Sequence, residues 1–178
     1  MPLRPRRGLP CRAGLADRTP VGDPVRVSLS AGPDRLEAAG RAGLPQVVSL
    51  GALDMVNFGA RDTVPPQFED RNLYVHNPSV TLMRTTTEEC AELGRRIAAK
   101  LSAATGSVAL FVPLGGVSMI DAPGQPFFDP EADAALFSAL RSGVGGNVEL
   151  VELECNVNDD AFADAMVEKL DGFVKVSA

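Results

Sequence analysis

The stretch from residue 107 to residue 116, "SVALFVPLGG", decides the fold class of this 178-residue chain. Its apolar residues run almost without interruption, which is typical of a strand buried on both faces, as in a parallel sheet. A helical pattern precedes it, "TTTEECAELGRRIAAKLSAATG" (85–106), and another follows it, "DPEADAALFSALRSG" (129–143). A buried strand between two helices indicates a parallel α/β layer.

The same rhythm of strands and helices continues in both directions along the chain. Earlier segments predict a helix from near Pro33 that ends at Gly43, a buried strand "QVVSLG" (46–51) and a second strand "NLYVHN" (72–77). Later segments predict a half-exposed strand "NVELVELEC" (147–155) and a closing helix "NDDAFADAMVEKL" (158–170) capped by Asn158 or Asp159. We therefore expect an open, mostly parallel sheet with flanking helices, an incomplete Rossmann-like layer.

Two helices carry clear start signals. Thr85 with Glu88, and Thr86 with Glu89, each match the capping box, in which a hydroxyl and a carboxylate satisfy the first N–H groups of a helix. Asp129 stands directly before Pro130, a residue suited to the first helical position, and is the expected N-cap there.

The first 27 residues contain six arginines and five prolines and follow neither a strand nor a helix period. They predict a disordered or irregular leader, and residues 28–178 are expected to form a partial α/β domain. The segment is rich in arginine and poor in acids, like a transit peptide, but it has no serine and its prolines would break an amphipathic helix.

The net charge of −6 excludes some function classes. The leader carries a local charge of +4, so the remaining body carries −10 and would repel a nucleic-acid backbone. Three cysteines without a CxxC spacing predict neither a disulfide framework nor a zinc site, and favour a reducing, cytoplasmic setting. No stretch is long and apolar enough to predict a membrane helix.

Ligands of open α/β sheets bind at the carboxyl ends of the strands. Three long loops are expected at that edge: "SLGALDMVNFGARD" (49–62), "HNPSVTLMRTT" (76–86) and "PLGGVSMIDAPGQPFFD" (113–129). Each exceeds the roughly 2–6 residues usual for such connections. We expect the functional residues of the chain on these loops.

The loops offer groups that bind anions. Glycines directly after a strand expose N–H groups, an arginine presents a planar fork of donors, and a helix N-terminus favours negative charge. The sequence contains no Walker loop and no GxGxxG pattern. The candidate ligand-binding residues are Gly115, Gly116, Ser118, Asn77, Ser79, Thr81, Arg84, Thr85, Asp54 and Asn57.

Other chemistries remain open for the same loops. His76, the single histidine, is a weak candidate for a catalytic acid–base, although a histidine bonded to backbone is the commoner case. A triad of Ser79 or Ser118 with His76 and Asp54 would lack the GxSxG elbow. An oxygen-rich metal site would match no known spacing; its members would be Asp54, Asn57, Asp62, His76 and Asp121.

Several long stretches together resemble the C-terminal domain of the Tm-one-like ATP-binding family. They are "SAGPDRLEAAGRAGLPQVVSLGALDMVNFG" (30–59), "YVHNPSVTLMRTTTEEC" (74–90), "VPLGGVSMIDAPGQPFFDPEADAALFSALR" (112–141) and "NDDAFADAM" (158–166). The resemblance runs from about Ser28 to the C-terminus. It implies two stacked α/β domains, with ATP bound chiefly by an N-terminal domain that this chain lacks.

The resemblance also implies that the opening βαβ portion of the C-terminal domain, with a glycine-rich "HATGxGG"-type strand exit, is missing here. The chain is then expected to be a truncated product that self-associates through exposed sheet edges. Its loops would form one wall of a nucleotide or small-anion site. The alternatives are an enzyme that acts on a small carbonyl or carboxylate substrate through His76, and a protein-interaction module that only the resemblance suggests.

Overall fold

The structure is a computed structural model that describes residues 34–176. The expected leader, residues 1–27, and the expected helix start at Pro33 lie outside the described residues. Two short 3-10 helices, Arg61–Thr63 and Pro66–Phe68, accompany the main elements. In chain order the main elements are α1 (Ala38–Arg41), β1 (Gln46–Ser49), β2 (Met55–Phe58), β3 (Leu73–Asn77), β4 (Val80–Arg84), α2 (Thr87–Ser102), β5 (Val108–Pro113), α3 (Pro130–Gly143), β6 (Val148–Leu153) and α4 (Asp160–Val176).

A parallel sheet with the strand order β1-β5-β6 forms the centre of the fold. Val48 pairs with Leu110, and Leu110 pairs with Leu150. Every residue of β5 is buried, whereas β6 has one buried residue, Val148, and otherwise half-buried and exposed positions. The predictions of a fully buried strand, a half-exposed strand and a parallel α/β layer are confirmed.

Helices cover both faces of this sheet. On one face α2 and α3 pack against each other and enclose a core that includes Ile97, Leu110 and Leu136. On the other face Phe162 of α4 packs edge-on against Phe111, with ring centroids 6.0 Å apart. The crossover connections through α2 and α3 run in the same direction along the sheet. Because such connections have the same hand, both helices lie on the same face of the sheet.

The segment between β1 and α2 forms a second sheet, and here the sequence prediction is wrong. Strands β2, β4 and β3 pair antiparallel, in that order, so residues 72–77 do not join the parallel sheet. The expected loop 76–86 is instead a hairpin turn followed by a strand, and the expected loop 49–62 contains β2. Asn77 makes the turn: its Oδ1 accepts from the backbone N of Ser79 at 2.9 Å and from its Oγ at 3.0 Å.

The first helix is shorter than expected. Only Ala38–Arg41 is helical, because Leu36 has a positive φ of 69°, a backbone conformation outside the α-helix. Gly43, with φ of 68°, ends the segment as expected. Leu36 still packs against the core on the face that carries α2 and α3.

The capping predictions are confirmed in part. Thr86 and Glu89 form the complete capping box of α2, and Asp129 accepts from the backbone N of Ala132 at the start of α3. Thr85 makes a different contact, because its hydroxyl donates to the carbonyl oxygen of Leu53 at 2.9 Å.

Within residues 34–176, no helix combines the length and apolarity that a bilayer span requires.

Candidate functional site

The carboxyl ends of β1, β5 and β6 meet at one edge of the parallel sheet, and the segments that follow them are joined there. Ala52 donates its backbone N–H to the carbonyl oxygen of Val117 at 2.8 Å. Val157 donates to Gly116 O at 3.0 Å, and Asn156 Nδ2 donates to Ser118 O at 3.0 Å. We call residues 50–54, 114–118 and 154–158 the rim. Direct bonds between its three segments hold it in one arrangement.

The glycine-rich part of the rim uses its N–H groups internally. Gly115 N donates to Cys155 O at 2.9 Å, and Gly116 N points to Pro113 O at 3.3 Å. Val117 N donates to Asp121 Oδ2 at 2.9 Å. The N–H groups of the two glycines that the sequence suggested for an anion are therefore engaged within the chain, as is that of Val117.

Close packing explains both glycines. A Cβ at Gly115 would lie 2.7 Å from the carbonyl carbon of Cys155. At Gly116 it would lie 1.9 Å from the carbonyl oxygen of Asp121, and the φ of 121° is one that side chains rarely adopt. Only glycine fits between these backbone segments.

Asp54 and Ser118 form a buried pair within the rim. Ser118 Oγ donates to Asp54 Oδ2 at 2.7 Å and accepts from Ile120 N at 3.2 Å. Asp54 is completely buried, and its Oδ1 has no hydrogen-bond partner within the described part of the chain. Burial raises the pKa of Asp54 to about 6, although the bond from Ser118 opposes the increase. Strongly shifted acids of this kind are concentrated at functional sites.

Arg84, at the end of β4, has its donors engaged by the protein. Nη2 donates to Asp133 Oδ1 at 2.7 Å and reaches Asp121 Oδ1 at 3.4 Å, while Nε donates to Phe127 O at 2.8 Å. Nη1 donates to Thr85 Oγ1 at 3.1 Å. Arg84 thereby connects the antiparallel sheet to the segment after β5 and to α3.

Burial disfavours the charged forms of Asp133 and Cys90 in this cluster. The pKa of Asp133 is raised by burial and by the neighbouring charge of Asp121, against the opposing effect of Arg84. Burial also raises the pKa of the Cys90 thiol, which lies 3.2 Å from Thr85 Oγ1. Two carboxyl groups thus share one guanidinium in the interior.

Other predicted site residues lie on the antiparallel sheet, away from the rim. Asn77 and Ser79 are exposed at the hairpin turn, and β4 carries the chain about 13 Å from Val80 to Arg84 at about 3.3 Å per residue. Thr81 is buried with no partner for its hydroxyl among the described residues, and Asn57 is half-buried on β2. The structure brings Arg84, Thr85, Asp54 and the glycines together, but not the hairpin residues.

The catalytic and metal arrangements are not assembled in residues 34–176. Ser118 donates directly to Asp54, so no histidine stands between the hydroxyl and the acid of the suggested triad. His76 is exposed on β3, with its ring 6.4 Å from that of Tyr74. No group of three or more histidine, cysteine or acidic side chains within the described range could hold a metal ion.

Sequence reasoning missed the role of Asp133. A signal for it exists, because Asp133 lies three and four residues before Leu136 and Phe137, on the buried face of α3. An acid on the apolar face of a helix needs a buried partner. The sequence does not show that this partner is Arg84, 49 residues away.

Residues 20–174 match the model of a family described as "Uncharacterised protein family (UPF0261) C-terminal domain". The chain is 56% identical over 143 residues to a UPF0261 protein of Clostridium tetani and 51% identical over 141 residues to one of Rhizobium meliloti. These matches cover 80% and 78% of this chain and 35% of each relative.

A plant protein is also similar. The chain is 42% identical over 145 residues to the ToMV resistance protein Tm-1(GCR237) of Solanum lycopersicum, a match that covers 80% of this chain and 19% of the tomato protein. The chain thus spans about a third of the length of its bacterial relatives. Because the family model covers most of its length, the chain belongs to the UPF0261 family, of whose C-terminal domain it is a part.

Proposed function

We propose that this chain is the ligand-facing C-terminal part of a protein that binds a small anionic ligand, with nucleotides such as ATP among the candidates. The supporting observation is the pair of Ser118 and Asp54 at the carboxyl edge of the parallel sheet. Ligands of open α/β sheets bind at this edge. An acid with a strongly raised pKa is also more frequent at functional sites than elsewhere.

Ser118 is the member of the pair that would contact the ligand. Its hydroxyl proton is committed to Asp54, and one of its two lone pairs accepts from Ile120 N. The second lone pair can accept from a hydroxyl or amino group of a ligand. Asp54 would orient Ser118 from behind, as a positioning residue. This arrangement suits the sugar hydroxyl of a nucleotide better than its phosphates.

The phosphate contacts are assigned to another part of the site. The N–H groups of Gly115, Gly116 and Val117 donate to acceptors within the chain. The guanidinium of Arg84 is paired with Asp133. The bacterial relatives are about three times as long as the matched region, so the remaining contacts would come from the part that this chain does not span. The wall of an anion site that the sequence predicted for these loops is therefore proposed without phosphate donors from the glycines or Arg84.

Calorimetric titration with ATP, adenosine and inorganic phosphate tests the proposal. The titrated proteins are the 178-residue chain and a chimera that adds the remaining part of the Clostridium tetani relative. The chimera is expected to bind ATP and adenosine, and Ser118→Ala is expected to weaken both about tenfold, the loss of one hydrogen bond. Ser138→Ala, at an exposed serine of α3, is the matched control.

Two results would overturn the proposal. One is a folded chimera that binds none of the three ligands. The other is a Ser118→Ala chimera that binds ATP as tightly as the Ser138→Ala control. Binding of inorganic phosphate that is independent of both serines is the expected outcome, because the phosphate contacts are assigned to the part that this chain does not span.

The structure favours neither alternative function. Among the described residues His76 lies on β3, at an edge of the antiparallel sheet, and it is not in the buried pair. The name of the tomato protein, ToMV resistance protein, is said of that protein and carries no observation about this chain.

A further inference from the structure

Ser118 Oγ can take part in three hydrogen bonds, one through its proton and two through its lone pairs. Within the protein it meets Asp54 Oδ2 at 2.7 Å and Ile120 N at 3.2 Å. The third position has no partner in the part of the chain that the structure describes, and the proposed function assigns it to a ligand. Because Ile120 N can only donate, the hydroxyl proton lies either toward Asp54 or toward the ligand.

The protonation state of Asp54 decides between these two positions. An ionised carboxylate only accepts hydrogen bonds, so Ser118 then donates its proton to Oδ2. A lone pair of Ser118 faces the ligand position as a result. In this state the site is complementary to a hydrogen-bond donor of the ligand.

A protonated Asp54 reverses the arrangement. Its Oδ1 is buried without a hydrogen-bond partner among residues 34–176, so a proton on that oxygen would be an unpaired buried donor. A proton on Oδ2 instead donates to Ser118 Oγ, 2.7 Å away. Asp54 and Ile120 N then occupy both lone pairs of Ser118, and its own proton points to the ligand position. In this state the site is complementary to a hydrogen-bond acceptor.

Burial and sparse bonding allow Asp54 to exist in both states. Its side chain is completely buried, and within residues 34–176 it receives one side-chain hydrogen bond, from Ser118. Burial raises the pKa of Asp54 to about 6, although the bond from Ser118 stabilises the ionised form. Both protonation states are therefore populated within a mildly acidic to neutral pH range.

Other titratable groups reach Asp54 from the neighbouring elements. Asp121, in the segment after β5, raises the pKa of Asp54, and Arg84, at the end of β4, lowers it. Arg84 directs its donors to Asp133 of α3 and to Asp121. The Cys90 thiol of α2 has a raised pKa and stays uncharged in this range. These groups shift the pH at which Asp54 titrates, but the position of the shared proton is determined within its pair with Ser118.

We propose that the proton shared by Asp54 and Ser118 selects the kind of ligand group that the site binds: a hydrogen-bond donor when Asp54 is ionised, and an acceptor when Asp54 is protonated. The inference rests on the proposed function, in which Ser118 contacts the ligand. A ribose hydroxyl can both donate and accept, so it fits both states. A methyl ether at the same position can only accept, so it fits the protonated state alone.

Carbon-13 NMR of the Asp54 carboxyl in the full 178-residue chain tests the pair without any ligand. Its titration midpoint is expected near the pKa of about 6, and Ser118→Ala should raise it, because the lost bond stabilises the ionised form. Ser138→Ala, at an exposed serine of α3, should leave the midpoint unchanged. Equal midpoints in the two variants, or a carboxyl that does not titrate between about pH 4.5 and pH 8, would overturn the inference.

Calorimetry on the chimera tests the ligand preference. The ligands are adenosine and its 2′-O-methyl and 3′-O-methyl ethers, titrated at about pH 5 and about pH 7.5, on either side of the Asp54 midpoint. For the ether whose oxygen meets Ser118, the affinity relative to adenosine should rise about tenfold at the lower pH, the gain of one hydrogen bond. The comparison with adenosine cancels pH effects that other groups exert on both ligands.

Asp54→Asn should fix the site in its acceptor-binding state. The amide Nδ2 is expected to take the place of Oδ2 and donate to Ser118 Oγ, because the opposite orientation would bury its N–H groups at the position of the unpartnered Oδ1. The relative affinity for the ether should then be as high at the upper pH as at the lower. Asp164→Asn, at an exposed acid of α4, is the matched control and should keep the pH dependence.

The outcomes separate this inference from the proposed function. A folded chimera that binds no adenosine at either pH would overturn the proposed function, and the ligand preference of Ser118 with it. A chimera that binds adenosine, but whose relative affinity for both ethers is the same at the two pH values, would overturn the inference and leave the proposed function intact. A relative ether affinity that still changes with pH in Asp54→Asn would also overturn the inference.

Discussion

Arg84 Nη2 lies 2.7 Å from Asp133 Oδ1, and both side chains are almost completely buried. The ion pair joins the last residue of β4 to the first turn of α3. Asp121, also buried, contacts the same guanidinium nitrogen at 3.4 Å. One positive charge therefore serves two interior acids, and its removal would leave both without compensation.

Replacement of Arg84 should cost far more stability than replacement of an exposed arginine. We expect Arg84→Met to lower the free energy of unfolding by about 3–5 kcal/mol, because Asp133 and Asp121 would remain buried without a positive charge to compensate them. Arg95→Met, which removes an exposed pair with Glu92, should cost at most about 1 kcal/mol. Urea unfolding of the two variants measures the difference, and similar losses would contradict the buried pair.

Asp54 should make the protein less stable as the pH rises. Its folded-state pKa is about 6 against an ordinary value of 3.8, so between these pH values the folded protein keeps a proton that the unfolded chain has released. The resulting stability is complete below about pH 4 and is lost as the pH rises through about 6, with a total of about 3 kcal/mol. Asp133, whose pKa is also raised, acts in the same direction.

Urea titrations at a series of pH values isolate the share of Asp54. Asp54→Asn should flatten the decline between pH 4 and pH 6, and the remaining slope would belong to groups such as Asp133. Asp164→Asn, at an exposed acid of α4, should leave the slope unchanged. An unchanged slope in Asp54→Asn would show that this carboxyl titrates normally.

Substitution of Gly116 in the rim by alanine should cost far more stability than the same substitution at an exposed glycine. Gly116→Ala is expected to prevent folding or to cost more than about 4 kcal/mol, because the new Cβ would lie 1.9 Å from Asp121 O. Gly124→Ala, where φ is 82° but the surroundings are open, should cost only about 1–2 kcal/mol of backbone strain. Thermal unfolding compares the two, and equal losses would contradict the close packing at Gly116.

The capping box of α2 should contribute a smaller amount to the free energy of unfolding. Thr86→Ala removes the acceptor for Glu89 N and should cost about 1 kcal/mol. Thr87→Ala changes the neighbouring first helical residue and is expected to have little effect. Urea unfolding of both variants, followed by far-ultraviolet circular dichroism, measures the difference. A larger loss for Thr87→Ala would place the cap one residue later.

Local patterns were enough to predict the parallel layer. The uninterrupted apolar run of β5 reflects burial on both faces, and the Thr86–Glu89 signature marks the start of α2 within a single turn. Both signals arise from residues close together in the sequence, so they can be recognised without knowledge of the tertiary structure. The alternation of β6 likewise matched its half-exposed place at the sheet edge.

The antiparallel sheet was not predicted, because the features that identify it do not lie within one short stretch of sequence. Four of the five residues of β4 are buried, so it lacks the alternation that identifies a strand, and Arg84 looked like a free donor. Its partner Asp133 is 49 residues away, and no spacing rule connects them. The glycines of the rim were predicted as residues of special importance, but whether their N–H groups were free depended on bonds to Cys155 and Asp121.

A double-mutant cycle between Arg84 and Asp133 tests most directly the claim that Arg84 is a structural ion-pair residue and not a ligand contact. Unfolding free energies of the unmodified chain, Arg84→Met, Asp133→Leu and the double variant give the coupling. We expect a coupling of at least about 2 kcal/mol, with the double variant more stable than Arg84→Met alone. Effects that add to within about 0.5 kcal/mol would contradict the claim.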